Sequence, residues 1–410
     1  MTLNIGYLIP EFPGQTHIFF WREKAVLEAI GCHVDLVSTR RPPARSMVHS
    51  WAPEARRLSI YLSSPWSYLF GATVQLLRRG AWRRCARALG KSEGEKIRLL
   101  ACVLMGAKLA YIGKMRGWQH LHVHSCGHSA NIALFASLIS GLPYSLTLHG
   151  PLSDYGENQK QKWSHAAFAF VITNDLREQV HRSLEGHLPP RIEIAPMGVD
   201  VAKFKRKAPY RPWKPGDICR IFSCGRLNPV KGHADLIEAT RLVKRKGIPI
   251  RLDIAGEDDH GGAGYRQELE KIIAELEMSD SVRLLGAVSE ATVIAWLEKA
   301  HVFSLASLHE PLGVAIMEAM ALELPVVVAS SPGVREMIDP NKDGLLVKPK
   351  SPAELAVSVQ QILRDESLAT RLGKAAREKI ISTFQSTRSA ELLVSAILDR
   401  SSMHDPQARI

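Results

Sequence analysis

Two glutamates set eight positions apart, Glu310 and Glu318, stand in a stretch reading "LHEPLGVAIMEAMALELPVVVASSPG". Glu310 sits just ahead of Pro-Leu-Gly and Glu318 inside an apolar helical run, where a carboxylate is costly to bury unless something pairs with it or hydrogen-bonds it. A ligand rich in hydroxyls would satisfy both. Glu310 directly follows the strand-like "HVFSLAS", so it falls in a loop at a strand's carboxyl end. Gly313 opens a helix whose free N–H groups and dipole favour a phosphate or a polar sugar edge, with Val314 beside it. Glu318 then lies about 7.5 Å along that helix axis, close to the length of a diphosphate. A diphosphate also needs cations, and "SCGRLNPVKGHADLIEA" supplies them. A strand ends at Cys224, Gly225 lets the backbone turn, and Arg226 and Lys231 emerge before a helix. Arginine offers a forked contact to phosphate oxygens and lysine a point charge. Together they would neutralise a departing diphosphate without a metal. Taken alone, they read better as ordinary surface cations.

The elements that must position these groups alternate along the whole chain. "LNIGYLIP" is followed by a helix near Phe19–Ile30 and the strand "HVDLVST". "HLHVHS" precedes a helix around Ala130–Ser140, then "YSLTLHG", "FAFVIT" and a helix near Asp175–Ser183. The Pro- and Lys-rich "FKRKAPYRPWKPGD" breaks the pattern and is expected to link two domains. Beyond it the alternation restarts with "CRIFSCGRL", "IRLDIAG", "SVRLLG", "AHVFSLAS", "LPVVVAS" and "DGLLVKP", separated by helices and closed by a helical run from Pro352 to about Arg400. Strands alternating with helices imply an α/β fold of two Rossmann-like, doubly wound parallel sheets. The expected division is an N-terminal domain over 1–205, a linker at 206–216, a C-terminal domain over 217–382, and a crossover helix and tail over 383–410. Ligands in such sheets sit outside the carboxyl ends of the strands, and with two domains the default site is the cleft between them.

Length and composition agree with two soluble domains: 410 residues, 46% hydrophobic and 23% charged. Six scattered cysteines with no Cys-x-x-Cys point to reduced thiols and away from a structural zinc site. "MTLNIGYLIP" lacks a basic leader and a cleavage site, so no signal peptide is expected and a cytoplasmic setting is. Leu58–Leu77 and Ser129–Ser153 are uncharged enough to test as membrane spans, but the second is better read as a helix, a turn and a strand. The net charge of +12 is concentrated. Between Arg40 and Arg116, sixteen Lys and Arg face only three acids, alongside Trp66, Tyr68, Phe70 and Trp82. Basic residues with interfacial aromatics suit an anionic membrane surface. A solvated helical face is the plainer reading, and nucleic acid the third, though no nucleic-acid motif accompanies the patch.

"GRLNPVKG", the Ala255–Gly256 pair, "HEPLGVAIMEAMALELPVVVASSPGVREMI" and "DGLLVKP" together resemble retaining glycosyltransferase family 4. The resemblance implies the GT-B fold, with the acceptor bound by the N-terminal domain, the nucleotide-sugar donor in the C-terminal domain and the final helix crossing back to the N-terminal one. It implies that Glu310 contacts the donor sugar and that the backbone at Gly313 and Val314 holds sugar or phosphate. Glu318 would bind the ribose, and Arg226 and Lys231 the diphosphate, with Gly225 lining the turn. Glu290, with Val288 beside it, falls where such enzymes pack a loop near the base. In the N-terminal half, His149 of "LTLHG" falls where the family keeps a histidine near the sugar. "HVHSCGHSAN" (His122, His124, His128) resembles the preceding strand and loop; no acidic partner is evident there, so no metal is expected. The first loop, "PEFPGQTHIFFWREK", keeps only Gly14 of the usual glycine pair, and leaves open whether Gly14, Gln15 and Thr16 meet donor or acceptor. That form is similar to a branch acting on bacterial exopolysaccharides such as colanic acid.

The implied reaction is transfer of a hexose with retention from a UDP- or GDP-linked sugar to a glycan. The acceptor would be held on a polyprenyl diphosphate at the inner face of the cytoplasmic membrane, with no cofactor, no metal and no nucleic-acid partner. A hydrolase would want two carboxylates flanking one anomeric carbon, and Glu310 and Glu318 are spaced instead for a sugar nucleotide. An epimerase or phosphorylase of similar architecture, or a basic nucleic-acid binder, are the alternatives.

Overall fold

The computed structural model describes residues 2–14, 16–43, 49–64, 68–77, 80–258 and 264–403. The chain forms two compact units: Met1–Met47 with Trp51–Pro196 and Thr387–Ile410, and Met197–Ser386 with Val48–Ser50. The first holds seven strands: β1 (Asn4–Glu11), β2 (His33–Arg40), β3 (Ile60–Tyr61), β4 (His120–Val123), β5 (Tyr144–Leu148), β6 (Phe168–Val171) and β7 (Ile192–Ile194). They lie in the order β3-β2-β1-β4-β5-β6-β7, every pair parallel. The second holds six: β8 (Cys219–Cys224), β9 (Ile250–Ala255), β10 (Val282–Gly286), β11 (Val302–Leu305), β12 (Val326–Ala329) and β13 (Leu345–Val347). Their order is β10-β9-β8-β11-β12-β13, again parallel throughout. Each order turns outward in both directions from an early central strand, the doubly wound pattern expected from the alternation. Central strands such as β11 and β12 are buried along their whole length, as parallel strands covered on both faces must be.

Two features depart from the sequence reading. The Pro-rich stretch at 206–216 is strapped onto the second unit rather than hung between two. Arg206 donates to the carbonyls of Leu322 and Glu298 at 2.5 and 3.0 Å, Tyr210 Oη donates to His301 O at 2.8 Å, and Trp213 is buried in that unit's core. The chain changes units at 196/197 and 386/387 instead. The closing run is helical as expected, in three pieces, Pro352–Arg364, Glu366–Thr383 and Thr387–Met403. The last of them belongs to the first unit, where Ala390, Leu393, Ala396 and Ile397 join Phe20 and Leu27 in one apolar cluster.

The basic stretch is a set of helices, Ala52–Leu58, Leu69–Leu77, Ala81–Lys91 and Lys96–Arg116. Part of its charge is engaged internally: Arg84 donates to Leu138 O at 2.6 Å, Lys108 to Ser64 O at 2.9 Å, and Arg116 pairs with Asp35 at 3.7 Å. Leu69–Leu77 is inverted for a soluble helix, burying Gln75 while Phe70, Val74 and Leu77 stand exposed on one face at i, i+4 and i+7. Ile97, Leu100 and Leu104 form a second exposed row on Lys96–Arg116, and Trp82 is exposed on the helix between. Among the described residues no helix is long and apolar enough to cross a membrane; Trp66 and part of Leu58–Leu77 lie outside them. All six cysteines are free thiols.

Candidate functional site

In the second unit, the loops leaving β8, β9 and β11 are drawn together by glycines that admit no side chain. Gly225 N–H donates to Ala255 O at 3.0 Å. A Cβ on Gly256, whose φ is +142°, would stand 1.9 Å from Gly225 O. After the exposed Arg226, Asn228 Oδ1 accepts from Val230 N–H at 2.9 Å and shapes a single helical turn ending at Lys231. Leu308 N–H donates to Val230 O at 2.8 Å, which ties this turn to the loop after β11.

That tie brings Lys231 to Glu310. Lys231 Nζ stands 2.5 Å from Glu310 Oε2, and Ser307 Oγ donates to the same oxygen at 3.2 Å. Glu310 is only 9% exposed, so the buried carboxylate is matched by a charge and a hydroxyl, as burial requires. Ser331 Oγ donates to the backbone oxygen of Glu310 at 2.9 Å and fixes the loop behind it. Gly313 has φ +83° and opens the helix Val314–Ala321, which carries the buried Glu318. At the end of β8, burial first and then the Glu318 carboxylate push the Cys224 thiol up to about 12, with Lys231 acting the other way. Gly225, Arg226, Lys231, Glu310, Gly313, Val314 and Glu318 therefore gather at the carboxyl edge of one sheet. Glu290 has a different setting: it is the first residue of the helix Glu290–Lys299, capped by Ser289, and pairs with Lys203.

In the first unit, His149 follows β5 and is the end of a buried chain of polar groups. Its Nε2 is 3.1 Å from His124 Nδ1, and His124 Nε2 is 3.0 Å from Glu23 Oε2. Tyr7 Oη donates to the same carboxylate. The expectation that these histidines lack an acidic partner is thus corrected. Glu23 comes from the helix Ile18–Ala29, a hundred residues away in sequence, and its place beside His124 could not be read from local spacing. Burial opposes ionisation of Glu23, but the charge and hydrogen bond of His124, with His122 and Ser389, hold it well below the usual carboxylate range. Burial, and then His124, push His149 down to about 3, so its ring is neutral.

Glu23, His122 and His124 lie close enough together to hold a metal ion; Glu23 also accepts from Tyr7 and faces His124. His122 contacts Ser145 Oγ at 2.7 Å through Nδ1 and Thr147 Oγ1 at 3.0 Å through Nε2. The network runs from Tyr7 and Glu23 through His124 to His149, whose Nδ1 is buried without a hydrogen-bond partner among the described residues. His128 is exposed at the start of the helix His128–Ser140. Gly14 is required by close approach, since a Cβ there would meet the His17 ring at 2.7 Å; Gln15 lies outside the described residues.

Residues 212–379 match the family of glycosyl transferases group 1. The putative colanic acid biosynthesis glycosyltransferase WcaL of Salmonella typhimurium is 31% identical over 207 residues, 48% of each chain. The amylovoran biosynthesis glycosyltransferase AmsK of Erwinia amylovora is 31% identical over 200 residues, 47% of each. The chain spans about half the length of these curated relatives. Among solved structures, sucrose-phosphate synthase from Thermosynechococcus elongatus superimposes with TM-score 0.73 at 19% identity, covering 98% of this chain and 99% of that one. Anabaena Alr3699/HepE in complex with UDP-glucose gives 0.73 at 15% identity, covering 97% and 100%. These likenesses show the fold, the GT-B type built from two Rossmann-like domains.

Proposed function

We propose that the chain is a retaining hexosyltransferase of exopolysaccharide biosynthesis, a reading supported by the match of residues 212–379 to the group 1 glycosyl transferases and by the GT-B scaffold. It would take a UDP- or GDP-linked sugar as donor and a polyprenyl-diphosphate-linked glycan as acceptor. The Lys231–Glu310 contact carries this reading, set beside the glycine-opened helix that holds Glu318. In the absence of donor the two charges satisfy each other. An incoming diphosphate competes for Lys231, and Glu310, relieved of its partner, turns its oxygens to sugar hydroxyls. Arg226 and Lys231 then stabilise the charge that builds on the leaving group, which makes the transfer metal-independent.

In the transfer step the bond from the anomeric carbon to the diphosphate oxygen breaks, and its electron pair stays on that oxygen. The acceptor hydroxyl oxygen bonds to the anomeric carbon on the same face, and its proton passes to the departing diphosphate. Glu318 holds ribose hydroxyls, Gly313 and Val314 present backbone to sugar or phosphate, and His149 is assigned near the sugar by family resemblance alone. The names of the colanic acid and amylovoran relatives and the UDP-glucose bound to Alr3699/HepE support the substrate class. The exposed rows Phe70–Val74–Leu77 and Ile97–Leu100–Leu104, within a basic segment, support peripheral attachment to an anionic membrane face.

Calorimetric titration with UDP, GDP and their hexose derivatives tests the donor, followed by transfer to lipid-linked glycan with and without EDTA. Binding of a sugar nucleotide that Glu310→Gln weakens is expected. Turnover of the donor with no acceptor present would favour an epimerase, and no nucleotide binding at all would end the proposal. Flotation with vesicles of phosphatidylglycerol and phosphatidylcholine tests attachment; a protein that stays at the bottom of the gradient at low salt refutes it.

A further inference from the structure

The second unit has a recess where β8 and β11 begin, at the edge of the sheet opposite the loops that carry Lys231 and Glu310. It is an open cavity of about 500 Å³ between the strap at 206–211 and the end of the helix Glu290–Lys299. Lys207, Arg211, Arg220 and Lys299 line it, against a single carboxylate, Glu298. That carboxylate is already engaged, since its Oε1 accepts the Lys207 backbone N–H at 3.1 Å. None of the four cations is paired with a carboxylate among the described residues. The residue in register with Arg220 on the neighbouring strand β9 is Arg251, which adds to the positive charge instead of answering it. Like charges gathered without a counter-charge repel one another, and an anion relieves that cost.

The walls are fixed before any ligand arrives. Arg206 donates to the carbonyls of Leu297, Glu298 and Leu322 at 3.2, 3.0 and 2.5 Å. It thereby covers the negative end of the helix Glu290–Lys299, which would otherwise repel an anion. Tyr210 Oη ties the strap to His301 O at 2.8 Å, so the recess is preformed, as ligand sites usually are. The His301 ring is oriented as well: its Nδ1 accepts from the Arg220 backbone N–H at 2.9 Å. Burial first, and then Arg220, hold the ring below its ordinary pKa. A neutral ring bonded in this way carries its proton on Nε2 and keeps a donor there.

Cations and an N–H donor select the ligand. Guanidinium groups fork onto phosphate oxygens and ammonium groups meet them as point charges, while Ala208, Pro209 and Ala300 leave an apolar margin for a carbon skeleton. We infer that this recess binds the phosphate end of a small phosphorylated molecule, a monoester or a diphosphate. Lys207, Arg211, Arg220 and Lys299 hold its oxygens, and His301 donates to it. The site shares no residue with Arg226 and Lys231 and stands whether or not the chain is a transferase.

Calorimetry with inorganic pyrophosphate and with glucose 6-phosphate tests it, on the full chain carrying Lys231→Met so that the diphosphate contact at the other edge is weakened. Binding of at least one probe is expected to persist there, and to fall at least tenfold when Arg211→Ala and Arg220→Ala are added. Should Arg220→Ala fail to fold by circular dichroism, the exposed Lys207→Ala and Arg211→Ala carry the comparison. No binding of either probe in Lys231→Met, or binding that the added changes leave intact, overturns the inference. Vesicles of phosphatidic acid and phosphatidylcholine separate the two sources of such a group. Displacement of the bound probe by vesicles assigns the recess to a lipid headgroup, and a probe that stays bound assigns it to a free phosphorylated molecule.

Discussion

Lys231→Met removes the positive half of a 2.5 Å contact and leaves Glu310, 9% exposed, with Ser307 Oγ at 3.2 Å. Deleting one member of a fully buried ion pair costs about 3–5 kcal/mol, whereas exposed pairs are worth about 0–1 kcal/mol. The Lys231 side chain keeps 20% of its exposure, so water reaches the orphaned carboxylate, and about 2 kcal/mol is the expected loss between those limits. For a unit of this size that corresponds to a fall in melting temperature of about 4–8 °C. Adding Glu310→Gln to Lys231→Met should recover part of the loss, with a coupling of about 1–2 kcal/mol in the double-mutant cycle. Nucleoside-diphosphate affinity should fall separately, by about 10- to 150-fold, as expected for one charged hydrogen bond. Urea and thermal unfolding read the first effect and calorimetry the second. A Lys231→Met protein as stable as the parent, with strictly additive double-mutant values, would show that the two side chains are not paired and would remove the premise of the donor site.

Glu318→Gln should let the Cys224 thiol fall from about 12 toward, but not to, its ordinary value, because burial remains the larger cause. The alkylation rate of Cys224 against pH measures this, and an unmoved profile would place Glu318 away from the strand end. Gly256→Ala should destabilise by about 3 kcal/mol or more, since it forces a methyl onto Gly225 O at a φ of +142°; an unchanged urea midpoint would contradict the close approach. His149 and His233 are depressed to about 3 and about 4, so the unfolded chain binds more protons than the folded one below the ordinary histidine value of 6.5. Stability should therefore hold above pH about 6.5 and decline as pH falls toward about 3, with Glu23 adding the same sign below its ordinary 4.5. His149→Asn should flatten that slope in urea midpoints taken across the range.

The second unit was nearly all legible in the sequence. Apolar runs separated by helical stretches mark every strand from β8 to β13. Lys231 and Glu310 were readable because each follows a strand end and the sheet order places β8 beside β11. What was missed depends on contacts far apart in the chain. Glu23 looks like one charge among Arg22 and Lys24 on an aromatic helix until packing sets it against His124. The strap at 206–216 looked like a linker because proline and lysine suit one, yet its arginine and tryptophan are what dock it. Short strands such as Ile60–Tyr61 and Ile192–Ile194 carry too few residues for a period to show.

The helix Thr387–Met403 closes the first unit with Ala390, Leu393, Ala396 and Ile397, and Ser389 reaches the Glu23 carboxylate. On the ribosome this means that a domain begun at the N-terminus stays unfinished until all of Met197–Ser386 has been translated, roughly 10–40 s at ordinary elongation speeds. For that interval the nascent first unit presents Phe20 and Leu27 without their cover, a natural stop for a chaperone. A gene fragment cut after Pro196 would yield a domain that never acquires its own lid.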